Sequence, residues 1–159
     1  MTGMDPRSAK AVMVQYLVAA VVFCVLDLVW LTLVAKDLYE RLLGDLLAEE
    51  PRPGAAVAFY ALFLAGLVHF VIRPAVAQDS IRSALLSGGF FGLVTYATWD
   101  LTNLAVLRGF PIDLVAVDLA WGSVLAASVS VVTLLVWRLL HRGRQAELAD
   151  AERPGPLTR

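Results

Sequence analysis

Apolar residues in this chain come in long runs separated by short polar stretches. Ala11 to Ala35 is broken only by Gln15, Asp27 and Thr32. At about 25 residues it exceeds the roughly 20 that a bilayer core requires. Ala55 to Val76 is a second run, ending near Arg73-Pro74; Ser83 to Leu107 is a third, and Asp113 to Leu140 a fourth. Runs of this length with few charges predict transmembrane helices. The predicted fold is therefore all-α, an integral membrane bundle of four transmembrane helices over residues 11–35, 55–76, 83–107 and 113–140. An N-terminal segment, 1–10, and a charged, then Pro-rich tail, 141–159, flank it; the tail's composition predicts disorder.

The connections differ in kind. Lys36 to Gly54 is the longest, with Leu38, Tyr39, Leu42, Leu43, Leu46 and Leu47 at helical spacing among acidic and basic residues. This predicts an amphipathic connector, lying at the interface or extending the first span, that Pro51 and Pro53 end. A lid over a site is the sharper reading of the same segment. Ala77 to Arg82 is a short polar turn, and Arg108-Gly109-Phe110-Pro111 a tight one, so the third and fourth spans are expected to be antiparallel neighbours. Gly88 and Gly92 on one of these spans, and Gly122, Ala126 and Ser130 on the other, form strips of small residues suited to close helix approach.

Composition agrees with the runs. The 159 residues are 59% hydrophobic and 17% charged, with mean hydropathy +0.73. Soluble domains are nearer 45–50% apolar and about 25% charged. A net charge of −1 and the absence of a basic patch argue against nucleic acid as a partner. The first run is too long for the apolar region of a signal peptide, contains Asp27 and lacks a following cleavage site, so a retained span is expected. With four spans, the N-terminal segment, the short turn and the tail share a side that carries nine of the 13 lysines and arginines. This bias predicts both termini in the cytoplasm.

Candidate chemistry lies where polar residues interrupt the runs. A carboxylate in a span costs about 2.5–3.5 kcal/mol on insertion scales, so it is expected to face protein or a water-filled cavity. At about 1.5 Å of rise per residue, Asp27 lies roughly 12 Å, Asp100 roughly 11 Å and Asp118 roughly 8 Å below the outer end of its span. Three acids from three helices thus share a layer. Trp30 follows Asp27 by three residues and Trp121 follows Asp118 by three; Tyr96, Asp100 and Asn103 make one stripe. Tyr60 enters the same layer. A shared pocket lined by Asp27, Tyr60, Tyr96, Asp100, Asn103 and Asp118, with Trp30 and Trp121 beside it, satisfies all of them. Desolvation and mutual repulsion oppose full ionisation of such a group, so at least one acid is expected to hold a proton, or a cation to sit among them. The plainer alternative is that these residues fasten helices together and that the aromatics form an interfacial belt.

No metal site or cofactor is expected, and no catalytic residue is singled out. Phosphate-binding glycine loops, metal-spaced histidines, paired cysteines and serine nucleophile elbows are all missing, and His69 reads as a packing residue. The Asp-Leu-x-Trp repeat at 27–30 and 118–121 is too short to establish duplication.

With these residues in view, the chain resembles the domain of unknown function 2177 family of bacterial membrane proteins. The resemblance rests on Leu26-Asp27-x-x-Trp30-Leu31, Ala35-Lys36-Asp37-x-Tyr39, Tyr96-x-x-x-Asp100-Leu101-Thr102-Asn103-Leu104-Ala105, Gly109-x-Pro111 and Asp118-x-x-Trp121-Gly122. It spans roughly Val14 to Val136 and implies a small multi-span inner-membrane protein; it implies no reaction or ligand. Three functions stay open on the residues. One is a binding or transport protein whose pocket takes a small polar or cationic ligand or relays protons, with Asp100 as the central acid. Another is an enzyme working on a lipid-soluble substrate through carboxylate acid and base. The last is a structural or accessory subunit. The lipid bilayer is the expected partner, and alternating access would require a homo-oligomer.

Overall fold

The computed structural model describes residues 8–48, 50 and 52–151. Among them there is no strand. The helices are α1 (Ala9–Val29), α2 (Lys36–Leu43), α3 (Pro53–Leu67), α4 (Arg73–Ala77), α5 (Ile81–Val106) and α6 (Ile112–Ala151). Two π-helical turns extend them. Trp30–Val34 continues α1, and Val68–Ile72 joins α3 to α4. Three rods are long and apolar enough to cross a membrane: Ala9–Val34, Pro53–Ala77 and Ile112–Leu140. The sequence reading expects four. α5 matches them in length at 26 residues, but Thr95, Thr98, Asp100, Thr102 and Asn103 make its second half more polar.

Local chemistry sets the ends. Ser8 caps α1 by accepting from the Ala11 N–H, and Ser80 caps α5 by accepting from the Ser83 N–H. Pro53 opens α3 at a position where its missing N–H costs nothing. Gly44 has φ 47° and ψ −119°, a backbone shape that favours glycine, and it stops α2 after Leu43. Leu46 and Leu47, placed by their spacing on the apolar stripe of this connector, are therefore left exposed beyond the helix. Gly109, at φ 81°, turns the chain between α5 and α6. α6 runs past Leu140 to Ala151, through a stretch whose charge predicts disorder; Gln145-Ala146-Glu147-Leu148-Ala149 are good helix formers. Residues 1–7 of the N-terminal segment and 152–159 of the tail lie outside the described residues.

α5 and α6 are antiparallel and form the closest pair in the bundle. A Cβ on Gly92 would collide with the Gly122 carbonyl group, and one on Gly88 would sit 2.9 Å from the Ala126 carbonyl oxygen. The two small-residue strips therefore meet, and the backbones approach closely because neither strip carries bulk. α1 contributes a buried stripe at every fourth residue, Ala11, Gln15, Ala19, Phe23 and Asp27. Phe23 packs against Phe63 of α3, ring centroids 5.3 Å apart, in a main core that also holds Leu67 of α3 and Leu125 and Val129 of α6. At one end α2 folds over the α5–α6 turn, where Leu38, Tyr39, Leu42 and Leu43 rest on Phe110, Leu114 and Val115. At the other end Arg138 pairs with Asp79 at 2.6 Å; Asp79 is largely exposed, so the pair adds little stability. Large apolar side chains such as Leu17, Val21, Leu62 and Leu93 point outward, as a bundle in lipid requires.

Overpacking a closely packed interface costs about 1–3 kcal/mol. Gly92→Leu is expected to fall at the upper end of that range, because a backbone carbonyl occupies the space its Cβ needs. Gly54→Ala, whose Cβ meets open space, should leave stability nearly unchanged. Thermal unfolding of the two variants in the same detergent checks the contrast.

Candidate functional site

The site is built from the α2 end of the bundle inward. Asp27 occupies the last position of the buried stripe of α1 and is 6% exposed. From α3, the Tyr60 hydroxyl donates to Asp27 Oδ2 at 2.8 Å. The Phe23 ring meets the Tyr60 ring edge-on, with centroids 5.2 Å apart, and holds it in place. On α6, Asp118 is 5% exposed. The Tyr39 hydroxyl of α2 donates to Asp118 Oδ1 at 2.6 Å. Each carboxyl group is thus tied to a phenol on a different helix.

The π-helical turn begins at Trp30, where the Ala35 N–H donates to the Trp30 carbonyl at 2.8 Å, one residue wider than α-helical pairing. Such single turns occur often at functional positions. Trp30 stacks face to face on Trp121 of α6, centroids 4.4 Å apart and planes 7° from parallel. One turn beyond Asp118, Gly122 leaves room for the ring of Tyr96 from α5; a Cβ on Gly122 would overlap that ring. The indole Nε1 atoms of Trp30 and Trp121 are buried without an acceptor in hydrogen-bonding geometry, although Trp121 lies toward Asp27.

Two cavities adjoin here. One, of about 190 Å³, has Asp27, Trp30, Tyr60 and Trp121 on its walls. The other, of about 380 Å³, is lined by Thr95, Trp99 and Asp118. Tyr39, Phe59 and Tyr96 border both. Of the residues expected to share one pocket, the structure brings Asp27, Trp30, Tyr60, Tyr96 and Trp121 to the first cavity, and Asp118 with Tyr96 to the second. Asp100 and Asn103 line neither. Asp100 is fully buried, with Asp118 as the charge that bears on it; neither of its oxygens has a partner among the described residues. Asn103 Nδ2 is likewise buried and unpartnered.

Tyr39, Phe59, Thr95 and Trp99 were not foreseen as lining residues. Tyr39 carried a signal, a hydroxyl on the apolar stripe of the connector, whereas Phe59 is indistinguishable by sequence from a lipid-facing residue. His69 is exposed, with Arg73 Nη1 3.4 Å from its Nδ1, far along the chain from the acids; it is not the packed residue its surroundings suggest. Among the described residues, no three His, Cys, Asp or Glu side chains are grouped to hold a metal ion. Chemically, the arrangement offers carboxyl oxygens, phenol donors, indole N–H groups and aromatic faces around the two cavities.

Burial, and then the adjacent Asp118 carboxylate, push the Tyr39 phenol well above its ordinary value of 10.0. The phenol therefore remains protonated in the folded protein after the unfolded chain has begun to ionise. Stability tied to Tyr39 is complete below about pH 10 and declines as pH rises above it. Tyr39→Phe should flatten this alkaline decline, as read by unfolding across that range. In a double-mutant cycle with Asp118→Asn, the coupling energy should be on the order of 0.6 kcal/mol, and no more than about 1.7 kcal/mol, as for polar contacts between membrane helices.

No curated protein and no solved structure matches the chain. A family match does exist, and it covers the helices that carry every residue of both cavities. Residues 12–135 match the family described as predicted membrane protein (DUF2177), and the chain belongs to that family.

Proposed function

We propose that the protein is a four-span bacterial inner-membrane protein that binds a small polar or cationic ligand, or relays protons, between α1, α3, α5 and α6. In this reading α5 is the fourth span. Its length suits a bilayer, its polar side chains include the buried Asp100, and it packs closely on α6. With both termini in the cytoplasm, as the bias of lysine and arginine favours, the cavities lie in the outer half of the membrane and α2 covers their outer side. Asp27 and Asp118 are the ligand-facing acids, with Asp100 a third carboxyl group near Asp118. Tyr60 and Tyr39 orient the two carboxyl groups.

One observation carries the reading: two nearly buried carboxyl groups from different helices, each held by one phenol, border adjoining cavities that share three aromatic walls. Helix fastening alone would be served as well by a filled interface. The two tyrosine–aspartate hydrogen bonds do favour a fastening role as the second reading, since each joins separate helices.

The readings separate in a deletion strain complemented with wild type or Asp118→Asn and examined by untargeted lipid and metabolite profiling. A working site predicts that Asp118→Asn reaches the membrane at normal level yet leaves the deletion profile uncorrected. Fastening predicts reduced protein level and thermal stability, with the profile corrected in proportion to the protein that remains.

A further inference from the structure

The larger cavity opens on the flank of the bundle. α3 and α5 touch where Phe63 meets Phe91, ring centroids 5.5 Å apart, and where Gly66 faces the same Phe91 ring. Closer to α2, the two helices carry walls of the cavity, Phe59 on one and Thr95 and Trp99 on the other. Phe59 is 49% exposed and Trp99 61% exposed. The mouth between them lies at the outer surface of the helices. With α5 as a span, that surface meets hydrocarbon, so an occupant arriving this way dissolves in lipid.

The walls select its charge. Asp118 borders the cavity, and Asp100, fully buried with both oxygens unpartnered, lies near enough for the two carboxyl groups to interact. Two carboxyl groups in a low-dielectric site favour a positive neighbour. Tyr39, Phe59, Tyr96 and Trp99 supply aromatic faces, whose negative potential attracts cations and most of all organic ammonium groups. A hard metal cation would require six or more oxygen ligands, which this aromatic wall does not offer. A proton needs no chamber of about 380 Å³, whereas that volume suits a small organic molecule.

We infer that, granted the ligand-site reading above, the occupant is a lipid-soluble ammonium, an amine or quaternary ammonium on an apolar body. It enters from the bilayer between Phe59 and Trp99. Its charged nitrogen rests against Asp118, within the ring formed by Tyr39, Tyr96 and Trp99.

The test uses the full chain in phosphatidylglycerol nanodiscs, whose headgroups carry no ammonium. Benzyltrimethylammonium is titrated against neopentylbenzene, its neutral isostere with carbon in place of nitrogen, and tryptophan fluorescence is read. The ammonium should quench saturably, and the isostere should need at least tenfold more to reach half-saturation, or fail to saturate. Asp118→Asn should raise the half-saturation concentration of the ammonium at least tenfold. Asp113→Asn, on the exposed first turn of α6, should not move it. The two probes in the wild-type chain decide the matter even if Asp118→Asn misfolds. Replacing part of the lipid by phosphatidylethanolamine distinguishes the source of the ammonium: competition identifies a headgroup amine, and unchanged quenching a free amphiphilic amine. Equal affinity for the isostere, or no saturable quenching by either probe, overturns the inference. The strain profile is independent of these titrations. If Asp118→Asn still fails to correct it, the ligand site stands with another occupant; if the profile is corrected, the site reading falls as well.

Discussion

A carboxyl group in hydrocarbon has no solvent to turn to, so the helix that carries it must rotate until protein surrounds it. Asp27 and Asp118 impose this on α1 and α6, and both are buried, as is Asp100 on α5. The rotation then fixes what else lies inside. On α1, burying Asp27 also buries Phe23, Ala19 and Gln15, which lie on the same stripe. On α6, burying Asp118 puts Trp121 and Gly122 toward the other helices, where Trp121 stacks on Trp30 and Gly122 receives Tyr96. The polar residues thus orient the apolar ones, the reverse of the usual relation in a water-soluble core.

Glycine determines where space remains. Between α5 and α6 the strips meeting at Gly92 and Gly122 leave no gap. α5 meets α3 where Phe63 and Gly66 face the Phe91 ring. Beyond that contact the cavities lie between large aromatic side chains that do not fill them. α2 covers this region from the end of the bundle, because the chain bends after the π-helical turn and the apolar face of α2 settles on the α5–α6 turn. Tyr39 is the one residue of α2 that both borders the cavities and bonds to an acid. The connector is therefore coupled to the site through a single phenol.

Much of this was legible in the sequence. The apolar runs and the small-residue strips are local patterns, and depth along a helix follows from counting residues. Asp27, Tyr60, Trp30 and Trp121, at matching depths on their helices, border one cavity. Counting could not give rotation about each helix axis beyond the acid itself. Asp100 and Asn103 share a stripe with Tyr96, yet only Tyr96 reaches a cavity, because α6 at Gly122 is narrow enough to admit its ring. Phe59 and Trp99 became wall residues through the parting of α3 from α5, a property of the packed bundle with no signature in either segment. The end of α2 at Gly44 was missed because the leucine spacing continues past a glycine whose backbone does not.

The central claim is that Asp27 and Asp118 are each held by a phenol from another helix, inside protein and away from lipid. Isotope-edited infrared spectroscopy of the aspartate carboxyl bands, in bilayers, measures those hydrogen bonds directly. Tyr60→Phe should shift the band that Asp27→Asn removes, and Tyr39→Phe the band that Asp118→Asn removes, with neither change crossing to the other acid. Carboxyl bands that ignore both phenols would contradict the account.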